Sequence, residues 1–115
     1  MIIPSEKLGP VLRAVRKHRR ETQVQIAQRF ARLPGSDPTR DPIDRAKIAE
    51  VELGRGAVSK VRMRVGLADG FRVDRGVIDA LAEGRLDVAD AAAAFGVPVA
   101  VVAGALADPP QEAAS

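Results

Sequence analysis

Leu12-Arg13-Ala14-Val15-Arg16-Lys17-His18-Arg19-Arg20-Glu21-Thr22-Gln23-Val24-Gln25-Ile26-Ala27-Gln28-Arg29-Phe30 is the stretch on which the fold turns. Its first third closes an apolar stripe, Leu8, Val11, Leu12 and Val15, spaced as one face of an α-helix over about Lys7 to Arg19. Ser5 is the candidate cap of that helix, and Pro10 lies early enough for its missing N–H to do no harm. Arg13, Arg16, Lys17 and Arg20 fall on or beside the polar flank. A second helix opens sharply: Thr22 followed three residues later by Gln25 is a capping box, and Ile26, Ala27 and Phe30 supply its inward face.

Downstream, Arg32 to Arg40 carries two prolines and a glycine and reads as a loop. A third helix begins at Asp41-Pro42 or at Asp44, carries Ile48 and Val51 inward, and stops near Gly54. Four more follow: from near Ser59 to Gly70, from the cap Asp74 to Gly84, from Asp87 to Gly96, and from Pro98 to about Leu106. The tail 108–115 has no apolar period and is expected to be disordered. With no alternating β-branched runs, the expected fold is all-α.

Composition narrows the chemistry. The 115 residues contain no cysteine, which excludes thiolate metal sites, disulfides and thiol nucleophiles together. The one histidine, His18, has no carboxylates at metal-ligand spacing. No Gly-rich phosphate loop, acid/base pair or nucleophile–base pair is evident, so neither an enzyme nor a cofactor is expected. The amino-terminal residues lack the apolar run of a signal peptide, and a cytoplasmic protein is expected. Charge is unevenly spread. Residues 1–64 hold 15 Lys and Arg against 7 Asp and Glu, a net of +8; residues 65–115 hold 3 against 8, a net of −5. Such a front half suits a polyanion, although an uneven solvated surface explains the numbers equally well.

A second block, Ile48-Ala49-Glu50-Val51-Glu52-Leu53-Gly54-Arg55, completes a pattern begun by the first. Together the two resemble the lambda-repressor-like helix-turn-helix family, the Cro and Xre type: a Leu-Arg helix, Ser/Thr-Gln opening a helix with Leu/Ile-Ala and a further apolar residue, then an Ile-Ser-x-Ile-Glu-x-Gly-Lys/Arg ending. The resemblance implies a helix-turn-helix bundle in residues 1–70, with a helical extension over 71–107 for dimerisation or core closure. It implies duplex DNA as partner, a homodimer, no membrane, and a regulatory role. The site it implies is Thr22, Gln23, Arg45, Ala46, Lys47, Ala49, Glu50 and Arg55, to which Arg40 is added from the loop between the two blocks as a residue placed to reach along the backbone. Gln23 would meet the backbone phosphate at a helix start, Arg45 and Lys47 would reach bases, and Arg55 a phosphate. Arg16 and Glu52 match the family's ion pair between the first and third helices.

Three departures stand out. Phe30 and Ile48 lie 18 positions apart where the family has a tight turn. That insertion is either a wing offering Arg32, Thr39 and Arg40 or a tolerated surface loop. Arg20-Glu21 replaces the usual Gly and apolar residue, and Glu50 is acidic on the reading face. The weak base-reading set keeps a second reading open: a helix-turn-helix scaffold repurposed as an antitoxin, adaptor or assembly subunit. Ala92, Gly96 and Val102 echo the same spacing, but Val99 to Leu106 has no polar side chain to read a base. Being apolar all round, that last helix is expected to be buried, in its own core or against a second copy.

Overall fold

Helical periodicity alone places most of the elements seen in the computed structural model, which describes residues 1–30, 45–54 and 61–107. A 3-10 turn over Ser5–Lys7 leads into α1 (Leu8–His18), then α2 (Gln23–Phe30), α3 (Arg45–Glu52), α4 (Val61–Phe71), α5 (Arg75–Ala82), α6 (Val88–Phe95) and α7 (Val99–Ala107). The protein is all-α; among the described residues the only β pairing is one antiparallel bridge between Ile2 and Asp87. Loop 32–40 and tail 108–115 lie outside the described residues.

The α1 stripe is buried as its spacing requires: Val11, Leu12 and Val15 are fully covered, and Leu8 nearly so. Arg16, Lys17 and His18 in its last turn sit well with the helix dipole. Ser5 is not its cap. The Ser5 carbonyl takes the Leu8 N–H, so helix α1 starts three residues later, with Lys7 at the N-cap and no side-chain capping bond. Asp87 does cap α6, accepting the Ala89 N–H at 2.9 Å, and Gly96 closes that helix at φ 69°. Asp74 occupies the N-cap of α5 without a side-chain bond; its carbonyl instead takes the Val77 N–H at 3.0 Å.

Helix α1 packs on both α3 and α7, α2 on α3 and α4, α4 on α5, and α6 on α7. The buried apolar residues form one cluster running from Ile3 to Ala105, with Phe71 and Phe95 meeting edge to face at 6.4 Å. The chain start is laced to the α5–α6 junction: Ile3 N–H donates to Leu86 O at 2.8 Å and Val88 N–H to Met1 O at 2.9 Å. That contact seats the fully buried Ile3 side chain. Helix α7 divides its surface. Val102 and Ala105 are buried within the chain, whereas Val99, Ala100, Gly104 and Ala107 face outward.

Helices α1 and α3 come into close contact at Gly9. A Cβ at Gly9 would lie 2.5 Å from Val51 O and 2.6 Å from Glu52 O, atoms of the α3 backbone that cannot swing aside. Gly9→Ala should therefore cost about 1–3 kcal/mol in urea unfolding, by forcing the helices apart. Gly76→Ala, where a Cβ meets nothing within 4 Å, is the control. It should gain about 0.4–1 kcal/mol from the reduced freedom of the unfolded chain. Equal effects from the two would mean that α1 and α3 are not in contact at Gly9.

Candidate nucleic-acid interface

The start of α2 is built by its own first residues. Thr22 N–H donates to Gln25 Oε1 at 2.7 Å, and Gln25 N–H donates to Thr22 Oγ1 at 3.1 Å, a reciprocal capping box. Thr22 therefore serves the helix start. This fixes the phase of α2, so that Ile26 and Ala27 are buried while Val24, Gln25 and Gln28 are exposed. Gln23, next along, faces α3.

There the Glu52 carboxylate collects three donors. Arg16 Nε reaches Glu52 Oε2 at 2.6 Å, Arg16 Nη2 reaches Oε1 at 3.0 Å, and Gln23 Nε2 reaches Oε1 at 3.1 Å. Arg16 also donates through Nη1 to the Glu21 carbonyl at 3.1 Å, so one guanidinium binds α3 and the α1–α2 turn at once. The Glu52 side chain is 3% exposed and Arg16 12%. The ion pair expected from the resemblance is thus present, bidentate and nearly dry. Ile48 and Val51, the expected anchors of α3, are buried as well.

A second polar node lies behind α2. Arg29 Nη2 pairs with Glu21 Oε2 at 2.6 Å while its Nε donates to Gly70 O at 2.8 Å. Arg19 donates to Phe71 O at 2.7 Å and Phe95 O at 2.6 Å, serving the open carbonyl ends of α4 and α6 together. Burial pulls the Arg19 guanidinium below the ordinary arginine value; Arg29 and Arg72 push the same way and Glu21 opposes them. The three bonds to helix-end carbonyls have no local mark in the sequence, because each joins residues 41 to 76 positions apart. Arg16, Arg19 and Arg29 thus face inward, although they count toward the basic front half.

The outer surface around this frame is an open cleft of about 530 Å³ lined by Arg13, Arg16, Glu21, Thr22, Gln23 and Val24. On α3, Ala49 is half-buried and Glu50 exposed, with exposed Leu53 just beyond the helix. Arg45, Ala46 and Lys47 form the first turn of α3 in the backbone; their side chains, and the whole of Arg40 and Arg55, lie outside the described residues. Among the described residues, no cluster of His, Asp or Glu could hold a metal ion, and no helix is long and apolar enough to cross a membrane. Comparison with family models, curated proteins and solved structures gives no match to this chain.

Removing one partner of a buried pair leaves the other charged and unsolvated. Glu52→Ala should cost about 3–5 kcal/mol, a large share of the stability of a domain this size. The double variant Arg16→Met/Glu52→Leu, which replaces the pair with apolar groups of similar bulk, should recover most of that loss. Urea unfolding of both reads the difference. A double variant no more stable than Glu52→Ala would show that the pairing is itself a net source of stability, and that the loss is not that of a stranded charge.

Proposed function

We infer that this chain is a duplex-DNA-binding transcriptional regulator of the lambda-repressor-like helix-turn-helix kind, with α2 as the supporting helix and α3 as the reading helix. The observation that carries the reading is the Arg16–Glu52 pair. It forms at the two positions that the resemblance singles out, and it takes Gln23 with it. Burial of Ile48 and Val51 beside an exposed Glu50 gives α3 one anchored face and one outward face, as a helix entering a major groove requires. Arg45 and Lys47, one and three places into α3, are assigned to base edges. The N-terminal end of α2, whose position the capping box and Gln23 fix, suits a backbone phosphate together with Arg13 across the cleft.

In the same reading the protein acts in the cytoplasm as a homodimer, through the outward face of α7: Val99, Ala100, Gly104 and Ala107. A two-fold pair would set two reading helices about 34–36 Å apart on a roughly palindromic site. Sedimentation should give a dimer at micromolar concentration; a monomer there, still monomeric on DNA, removes this part of the reading.

The rival reading, a helix-turn-helix scaffold used to bind another protein, is favoured by one observation. Glu50 and the apolar Val24 and Leu53 are all exposed around the proposed reading face. Titration of duplex DNA against salt separates the two. Log affinity should fall linearly with log salt, by about 0.9 for each phosphate neutralised. Arg45→Ala should cost about 1–3 kcal/mol on a preferred site and flatten the preference there. No binding at low salt would transfer the case to the protein-interaction module.

A further inference from the structure

Helices that end in a left-handed residue normally spend a glycine on it, since a side chain there crowds the backbone. This chain does so after α3, α5 and α6, with Gly54 at φ 79°, Gly84 at 73° and Gly96 at 69°. After α1 and α4 it does not. Arg20 and Arg72 both sit at φ 58°, and among the described residues they alone combine a side chain with positive φ. Both are exposed, and neither guanidinium makes a hydrogen bond or ion pair to a described residue.

The two belong to one corner of the molecule. Arg19, next to Arg20, donates to the carbonyl of Phe71, next to Arg72, so a single side chain spans the gap between the two turns. Arg72 and Arg29 are near enough to bear on the charge of Arg19. Four arginines thus converge on this corner, with Glu21 the carboxylate paired to Arg29 and 3.8 Å from Arg19. Two helix ends, those of α4 and α6, turn carbonyls into it and hold the inner cations Arg19 and Arg29. The inner pair is satisfied; the outer pair projects into water from positions where glycine would be easier.

We propose that Arg20 and Arg72 form a second phosphate-binding edge, through which the duplex is gripped beyond the α2–α3 face, with Arg72 supplied by the otherwise acidic back half. This rests on the DNA-binding reading above. Arg20 is next to Glu21, which lines the cleft beside α2, so the edge continues the surface assigned there. The contact is to the sugar-phosphate backbone and carries no sequence preference, since two separate guanidinium groups on neighbouring turns supply charge and not a paired donor set for one base edge. Strain retained at an exposed arginine, whose guanidinium has no hydrogen-bond or ion-pair partner among the described residues, is what such a role would leave behind.

The test uses the full chain and a duplex of about 20–30 base pairs. Arg20→Gly and Arg72→Gly each remove a charge and relieve the backbone. Their urea midpoints should equal or exceed the wild-type value, while the slope of log affinity against log salt becomes shallower by about 0.9 for each, and by about twice that in the double variant. Lysine at both positions keeps the charge and should restore the slope. Wild-type binding with slopes unchanged in the glycine variants overturns the edge and leaves the DNA-binding reading standing. Midpoints that fall with slopes unchanged assign the arginines to the helix dipoles, and also overturn it. A wild-type protein that does not bind the duplex at low salt removes the reading on which the edge rests.

Discussion

A carboxylate stripped of water needs donors, and Glu52 at 3% exposure has them only if three segments of the chain are in place. Arg16 comes from the third turn of α1, Gln23 from the first turn of α2, and Glu52 itself from the last residue of α3. Helix α3 has eight residues and no strong stripe of its own. A helix that short does not persist in water on propensity. Its position therefore depends on what holds it: Ile48 and Val51 in the core, Gly9 letting its backbone against α1, and the Glu52 node at its end. Apolar burial supplies most of the energy, but it is tolerant of direction. The bidentate pair is not, because two parallel N–H···O bonds fix the angle between guanidinium and carboxylate.

The arginines divide the labour. Arg16, Arg19 and Arg29 spend their donors on internal acceptors, four of them backbone carbonyls or a helix end that the fold leaves open. Arg suits this because its fixed fork can serve two acceptors on different elements while keeping its charge. Arg19 is the clearest instance: it fastens the end of α1 to α4 and α6, so the back half is tied to the α1–α2 turn by more than apolar contact. With α7 lying on α1, the C-terminal helices complete the packing around the same stripe that opens the fold. Net charge by segment overstates what the surface offers, since it counts these inward cations with the outward ones.

Local chemistry was legible. The α1 stripe, the Thr22–Gln25 box, the Asp87 cap and the Gly54, Gly84 and Gly96 stops each depend on residues within about one turn of one another, and each is found where the spacing put it. What the sequence hid is long-range or competitive. The Ile2–Asp87 bridge joins segments 85 positions apart and has no local mark. Ser5 had the chemistry of a cap, but a 3-10 turn over Ser5–Lys7 puts Lys7 at the N-cap of α1 instead. For α7, composition led to an expectation of burial all round, but within the chain only Val102 and Ala105 are buried; a uniformly apolar helix does not say which face goes inward, and packing against α1 and α6 chose that one. At the site, Thr22 and Gln23 were found for their position at a helix start, but their hydrogen bonds turn out to be internal.

That last point bears on how such a surface can work. Gln23 cannot be reoriented toward a ligand without a change at Glu52, and Glu52 cannot change without releasing Arg16 and the turn at Glu21. The start of α2 and the end of α3 are consequently one rigid unit, and a ligand meeting α2 meets α3 in a set register. Rigid framing of this kind puts selectivity in side chains that are free to vary without disturbing the node, which on α3 are those pointing away from Ile48 and Val51. Glu50 is one of them, and its charge repels any phosphate or base acceptor placed opposite. Under the proposed DNA-binding reading, a duplex on this face would have to offer Glu50 a donor, such as a cytosine amino group, or leave it facing water, with cations elsewhere on the surface holding the backbone.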